Sequence, residues 1–150
     1  MKKIIASMAV IVFAVATIGF AFASSEADEA KAMVEKAAAY HQANGKEKAM
    51  KEFNTPGNQF VKGELYVFAY DMTGTMVAHP KNQKLVGMNL LNVPDVDGKM
   101  FRKEIIELAK KSGSGWVDYK YKNPQSNKIE QKTTYLKKAG DMVICCGAYK

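Results

Sequence analysis

The sequence predicts an α+β domain in which helices cover an antiparallel sheet. The elements follow one another as a helix, two strands, a loop with a second helix, and then three strands. The last three strands are joined by hairpin-length connections, which are too short for a helical crossover and therefore make these strands antiparallel. Strands that are grouped apart from the helices are typical of α+β proteins. The 150 residues, of which 47% are hydrophobic, are enough for one core.

The first 23 residues have the composition of an export signal. Two lysines precede an apolar run over residues 4–22, and Ala21-Phe22-Ala23 places small residues at a cleavage site. We expect a signal peptide at residues 1–23, one domain at residues 24–150, and a periplasmic or secreted protein. An uncleaved membrane anchor is the alternative, because an apolar run of about 19 residues nearly spans a bilayer. Contact with a membrane is expected only in that case.

The first helix of the domain begins after the leader. Ser25 followed by Asp28 is a capping-box pattern, which places the start of the helix. Asn44-Gly45 interrupts the helix, which we expect to resume over Lys46–Phe53. The turn signal at residues 55–58 follows. Mostly apolar residues repeat at helical spacing and predict one face of the first helix, namely Ala30, Met33, Val34, Ala37, Ala38 and His41.

A hairpin and a second helix make up the middle of the chain. Residues 64–71 are rich in aromatic and aliphatic side chains and predict a strand. The tight turn at residues 71–74 leads to a return strand at residues 75–79. After a loop, Asp97 is expected to cap a helix of about 14 residues that starts near Gly98.

Three strands complete the domain. They are predicted at Trp116–Lys122, Ile129–Lys138 and Met142–Tyr149, with Asn- and Gly-containing turns between them.

The positive charge does not indicate a nucleic-acid partner. The formal net charge of +7 falls to +5 when a leader carrying Lys2 and Lys3 is removed. Nucleic-acid binding usually needs basic residues clustered on one face together with stacking aromatics. The lysines here are spread along the chain, which favours a solvated surface with a mild preference for anions.

The sequence contains no motif of a catalytic, metal or cofactor site. P-loop, dinucleotide-binding, zincin and c-type haem patterns are missing, as is the G-x-S-x-G nucleophile motif. Residues 95–98 begin like an EF-hand loop, but its twelfth position is Ile106 instead of glutamate. We therefore expect no enzyme activity, no catalytic residues, no bound metal and no cofactor.

Short motifs in both halves of the chain resemble the single Cache domain family. The resemblance runs from about Lys31 to the end, in the family's order. It implies a PAS-like fold, in which a long N-terminal helix packs on a curved antiparallel sheet. The motifs that carry it are Gly63 to Phe68, Asp71 to Gly74, Ala78 to Pro80, Leu85 to Gly87, Asp97 to Lys99, Gly115 to Tyr119, Asn123-Pro124, Lys132 with Tyr135, and Gly147 to Tyr149.

The same resemblance implies an extracytoplasmic sensor domain whose sheet holds a small-molecule pocket. Such domains occur in chemoreceptors and histidine kinases, and some bind short organic acids. We expect a short organic anion as the ligand, in signal transduction such as chemotaxis. No membrane span or output domain follows, so signalling is expected to need a membrane sensor protein as partner. The alternative is a structural or partner-docking module whose pocket is filled by its own side chains.

Aromatic residues on two predicted strands are candidates for the walls of the pocket. Alternate residues of a strand share a face, and a tyrosine offers an apolar ring with a hydroxyl tip. The same pattern fits a core whose hydroxyls only reach its rim, so both interpretations stay open. The candidate ligand-binding residues on the first strand are Tyr66, Phe68 and Tyr70; those on the second are Tyr119 and Tyr121.

His79 and Lys132 are the candidate polar groups of the pocket. His79 lies at a strand end, where it is a structural hydrogen-bonding group, a pocket donor or, less simply, a metal ligand without a second His or Cys nearby. Lys132 lies mid-strand on the face of Leu136, where its side chain is either solvated or partly covered. Because the resemblance places a lysine here on the sheet that holds the pocket, we expect Lys132 to hold a carboxylate.

Two adjacent cysteines depart from the family pattern, which has small or aliphatic residues before the closing glycine. Cys145 and Cys146 point to opposite faces of a strand, so a bond between them would distort the peptide. They are either two buried hydrophobic side chains or the source of an intermolecular disulfide. A redox or metal function carried by these cysteines is a third functional hypothesis.

Overall fold

The computed structural model describes residues 25–150, so the predicted signal peptide at residues 1–23 lies outside the described residues. The helices are α1 (Glu26–Asn44), α2 (Lys46–Asn54) and α3 (Phe101–Ser112), with a short 3-10 helix at Gln83–Leu85. The strands are β1 (Val61–Lys62), β2 (Leu65–Asp71), β3 (Met76–Ala78), β4 (Ser114–Lys122), β5 (Ile129–Ala139) and β6 (Met142–Tyr149).

The strands form one antiparallel sheet in the order β1-β2-β6-β5-β4, and β3 also pairs with β2. The C-terminal strand β6 therefore lies between β2 and β5, in the interior of the sheet. The hairpins β4–β5 and β5–β6 are antiparallel, as their short connections predict. The predicted α+β architecture, with helices packed on an antiparallel sheet, is confirmed.

Hydrophobic cores lie on both faces of the sheet. On one face α1 and α2 pack through side chains such as Val34 and Phe53, and on the other face α3 packs through Phe101 and Ile105. The period of two in a strand divides β2 between these cores. Leu65, Val67 and Ala69 join the α1 side, whereas Tyr66, Phe68 and Tyr70 join the α3 side.

The start and the end of α1 follow from its local sequence. The Ser25 hydroxyl oxygen accepts a hydrogen bond from the Asp28 amide at 3.2 Å, and the Asp28 carboxylate accepts one from the Ser25 amide at 3.3 Å. The predicted capping box is therefore confirmed. Gly45 ends α1 with a φ of 82°, a backbone conformation that side chains other than glycine rarely adopt. The chain becomes helical again at Lys46, so the predicted interruption is also confirmed.

The predicted start of α3 is wrong. The helix begins at Phe101, it has 12 residues, and its N-cap residue is Met100, which makes no side-chain capping bond. Asp95 organises the preceding turn instead, because its carboxylate accepts hydrogen bonds from the amides of Asp97, Lys99 and Lys120. Asp97 forms an ion pair with the Lys120 side chain at 2.8 Å and caps no helix. Two elements too short to predict from the sequence, β1 and the 3-10 helix, complete the fold.

Candidate functional site

A small enclosed pocket lies between the sheet and the N-terminal end of α3. Its void is about 10 Å³, which is room for about one water molecule. The structure brings all seven candidate ligand-binding residues to this pocket. The lining residues are Tyr66, Phe68, Tyr70, Met76, His79, Phe101, Tyr119, Tyr121 and Lys132.

Lys132 is the polar centre of this pocket. Its side chain is only 1% exposed, although lysine is almost never fully buried without a partner. The ammonium nitrogen Nζ donates to the hydroxyl oxygens of Tyr66 on β2 at 3.1 Å and of Tyr149 on β6 at 3.3 Å. Nζ also lies 4.5 Å from the ring centres of both tyrosines and about 5.5 Å from those of Phe68 and Tyr121. The four rings form an aromatic box around the amine.

The charge in this box has no acidic partner. No carboxylate of the described residues lies within ion-pair distance of Lys132. Burial therefore lowers the pKa of Lys132 to about 8 from the ordinary 10.5, and the nearby thiols and the more distant Glu64 oppose this only in part. Cation–π contacts and two hydroxyl oxygens replace water around the ammonium only incompletely.

Gly147 on β6 makes room for the stem of Lys132. A Cβ atom at this glycine would lie 2.2 Å from Cε of Lys132 and 2.4 Å from the hydroxyl oxygen of Thr134. Thr134 faces Gly147 across the β5–β6 ladder. A glycine within a strand often marks the close approach of another group. The sequence shows Gly147 only as part of a family motif, and it does not identify the lysine that crosses this glycine.

We expect Gly147→Ala to destabilise the domain by about 1–3 kcal/mol, because Lys132 must leave its place in a packed core. The stability loss should be clearly smaller when the same change is made in a Lys132→Ala background, where the stem is missing. Urea unfolding of the wild type, the two single variants and the double variant measures this difference. Equal losses in both backgrounds would mean that Gly147 does not serve Lys132.

His79 contributes a neutral ring to the pocket. Its Nδ1 accepts a hydrogen bond from the Asn82 amide at 2.9 Å, so the proton of the neutral imidazole lies on Nε2. The ring packs against those of Tyr66 and Phe68, with centres 5.1 Å and 6.1 Å away. Burial first, and then the charge of Lys132, lower the pKa of His79 to about 4. The structural hydrogen bond and a place in the pocket, which the sequence left as alternatives, are thus both present.

Arg102 is a second buried cation that sequence reasoning missed. It lies in the first turn of α3, it is 5% exposed, and its guanidinium stacks 4.2 Å from the centre of the Phe101 ring. One terminal nitrogen donates to the Val93 carbonyl at 2.8 Å, whereas the buried Nε has no hydrogen-bond partner within residues 25–150. No carboxylate of the described residues pairs with it. An arginine within a helix of charged residues looks solvated in the sequence, which is why it gave no signal.

The remaining aromatic residues hold the walls together. Phe101 and Tyr119 stack face to face with ring centres 3.8 Å apart, and the Tyr119 hydroxyl lies 3.0 Å from that of Thr134. Tyr121 is half-buried and borders both the pocket and an outer cleft of about 340 Å³ beside Arg102. Phe101 also lines both the pocket and the cleft, so the rings of Phe101 and Tyr121 separate the two.

Both cysteines are buried in the folded domain. Cys145 lies in the core on the α3 side and Cys146 in the core on the α1 side, each fully shielded from solvent. Burial raises the pKa of the Cys146 thiol to about 12 and also raises that of Cys145. An intermolecular disulfide would therefore require the sheet to open, and the low thiolate fraction disfavours redox chemistry in the native state.

Residues 23–150 match the family model described as Single Cache domain 2. The chain belongs to this family. The resemblance drawn from its motifs is thereby confirmed, and the Cache family is a signalling and ligand-binding family. Within residues 25–150 no helix of this Cache domain combines the length and the apolar character needed to cross a bilayer. Among the same residues no group of three His, Cys, Asp or Glu side chains is arranged to hold a metal ion.

Known relatives of this Cache domain are parts of sensory proteins. Over 71 residues, 47% of the chain, it is 34% identical to the sensor histidine kinase MctS of Rhizobium johnstonii, and the match spans 15% of that protein. A solved structure described as the periplasmic sensor domain of a chemotaxis protein is 25% identical with a TM-score of 0.64, covering 81% of this chain and 88% of that one. A Cache chemosensory domain solved for its recognition of carboxylic acids is 23% identical with a TM-score of 0.70, covering 83% of this chain and 92% of that one.

Proposed function

We propose that this Cache domain is an extracytoplasmic sensor domain that binds a short organic anion, most simply a carboxylate, in the pocket around Lys132. The observation that carries the proposal is the pair of buried cations, Lys132 and Arg102, that no described carboxylate neutralises. The proposed ligand-binding residues are Tyr66, Phe68, Tyr70, His79, Tyr119, Tyr121 and Lys132, joined by Arg102 and Tyr149.

The buried charge of Lys132 favours an anion as the ligand. A buried charge is unfavourable until it is paired and hydrogen-bonded. A carboxylate beside Lys132 would accept charge-assisted hydrogen bonds from the ammonium, and the hydroxyl groups of Tyr66 and Tyr149 would become donors to it. The N–H of His79 provides a further neutral donor, since His79 stays uncharged above a pH of about 4. A cationic ligand would meet the like charge of Lys132 in the pocket and that of Arg102 in the neighbouring cleft.

The sensory context is part of the same proposal. The relatives are a sensor histidine kinase and a periplasmic sensor domain of a chemotaxis protein, and a Cache domain of the same fold recognises carboxylic acids. They support a periplasmic or secreted location and a role in signal transduction such as chemotaxis. We propose that a membrane sensor protein transmits the signal when the chain acts as a separate domain.

A second candidate function rests on the size of the void. Room for about one water molecule is what a core filled by its own aromatic side chains would leave. In that case the domain is a structural or partner-docking module without a free ligand. A carboxylate larger than water enters the pocket only if Tyr121 or a neighbouring ring moves into the outer cleft.

A thermal-shift experiment separates the two functions. Acetate, propionate and succinate are compared with methylamine and ethylamine at equal ionic strength, with sodium chloride as the control. A ligand at 100 times its dissociation constant adds about 2.7 kcal/mol of stability, which raises Tm by on the order of 5–10 °C for a domain of this size. We expect this rise with at least one carboxylate. The proposal would be contradicted if only the amines raise Tm, or if none of the compounds does.

A further inference from the structure

The amine of Lys132 has the surroundings of a nucleophile as well as those of a charge. It lines the pocket directly, it is enclosed by aromatic rings, and no described acidic side chain holds it as an ammonium ion. Lysines that form imines with carbonyl compounds are desolvated in this way. Surface lysines such as Lys122 lack these features, because their side chains are exposed to water.

The protonation state allows such chemistry near neutral pH. With a pKa of about 8, roughly a tenth of the Lys132 amine is neutral at pH 7, against roughly one part in three thousand for an ordinary lysine. Only the neutral amine carries the lone pair that attacks a carbonyl carbon.

Two hydroxyl groups that can transfer a proton lie next to the amine of Lys132. The hydroxyl groups of Tyr66 and Tyr149 lie 3.1 Å and 3.3 Å from Nζ, within direct reach of a proton leaving the nitrogen. The Tyr149 hydroxyl also lies 3.4 Å from the Lys122 carbonyl at the end of β4. Burial keeps the pKa of Tyr66 well above its ordinary value and raises that of Tyr149 to about 12, so both phenols hold their protons.

We propose that Lys132 captures small carbonyl compounds, either neutral aldehydes or 2-oxo acids, as a reversible imine in this pocket. The neutral amine attacks the carbonyl carbon, and one amine proton passes to the carbonyl oxygen through a tyrosine hydroxyl, giving a carbinolamine. Loss of the hydroxyl with the second amine proton releases one water molecule and leaves a carbon–nitrogen double bond. The step needs no oxidant or reductant, and hydrolysis reverses it.

This inference shares the pocket of the proposed function but not its chemistry. Anion binding uses the ammonium form of Lys132, whereas capture uses the neutral amine. A carboxylate without an aldehyde or ketone group, such as propionate, therefore tests anion binding and not imine capture.

Reductive trapping tests the capture. The folded wild-type chain is incubated at pH 7 with limiting acetaldehyde or glyoxylate, in separate arms, together with sodium cyanoborohydride, and labelled peptides are quantified by mass spectrometry over time. These two probes share an aldehyde carbon and differ by a methyl or a carboxylate group. We expect the Lys132 peptide to be labelled at least about tenfold faster than the Lys122 peptide in at least one arm. Faster labelling with glyoxylate identifies the 2-oxo acid, and faster labelling with acetaldehyde identifies the neutral aldehyde.

Labelling of Lys132 no faster than Lys122 in both arms would overturn the inference. The intact Lys132→Met protein serves as the matched control, because it should lose the rapid phase and keep the slow one. A thermal shift with propionate in a protein whose Lys132 is not trapped leaves the proposed function in place and removes the inference. Rapid trapping in a protein that no carboxylate stabilises leaves the inference in place and removes the proposed function.

Discussion

A Lys132→Met variant should lose carboxylate binding while its ligand-free fold becomes more stable. Methionine keeps the length of the stem over Gly147 but removes the charge, whose burial lowers the pKa of Lys132 to about 8. Replacing a buried charge by an apolar side chain of similar shape is often stabilising, here by roughly 1–3 kcal/mol. Removing the charged partner of a bound carboxylate typically weakens binding by about 2–5 kcal/mol, which is enough to nearly abolish it. Urea unfolding and calorimetry with the carboxylate found by thermal shift measure the two effects.

Two further variants control this experiment. Lys132→Ala should also lose binding, but without the gain in stability, since it leaves a cavity among the four rings. Lys122→Ala removes an exposed lysine at the end of β4 and should change both quantities little. The stability gain of Lys132→Met should be largest below pH 8 and should shrink towards pH 10.5, because the wild-type lysine then becomes neutral in the folded state first. Unchanged carboxylate affinity in Lys132→Met would contradict the assignment of the site.

Carboxylate affinity should fall by about tenfold for each pH unit above about 8. Binding needs the ammonium form of Lys132, and above its pKa of about 8 the amine must take up a proton before the anion is held. His79, with a pKa of about 4, stays neutral throughout this range, and the raised pKa of Tyr66 and Tyr149 keeps these phenols protonated. Calorimetry at pH 7, 8 and 9 gives the slope.

Buffers of different ionisation enthalpy provide an internal control for this slope. At pH 9 the measured enthalpy should depend on the buffer, because close to one proton is taken up for each carboxylate bound. Near pH 6 this dependence should vanish, since Lys132 is already charged. An affinity that is constant from pH 7 to 9 would show that a group other than Lys132 holds the anion. The buried thiols of Cys145 and Cys146 have raised pKa values and do not ionise in the folded state over this range.

The sequence predicts most of the fold because its signals are local. The capping box at Ser25, the break at Gly45 and the strand lengths all follow from a few neighbouring residues. The start of α3 was mispredicted for the same reason. Asp97 looks like a cap from its neighbours alone, but the Asp95 carboxylate accepts from the amide of Lys120 on β4, and this contact organises the turn before the helix.

The chemistry of the pocket depends on contacts that are distant in the sequence. Lys132 mid-strand is ambiguous until β2 and β6 are known to flank it with Tyr66 and Tyr149. Family resemblance, rather than periodicity, directed attention to this lysine. Arg102 and the role of Gly147 went unnoticed, because burial of the arginine and the close packing over the glycine arise only in the folded domain.

The position of β6 in the middle of the sheet sets the order in which the domain can fold. β2 and β5 have no ladder with each other, and each pairs with the last strand of the chain. The sheet therefore cannot close before residues 142–149 have been synthesised, and pairing between residues 67 and 146 raises the contact order. Until then β2 and β5 each present an open edge that can pair with other chains. Residues 142–149 must therefore be available before the two halves of the sheet can join into one core.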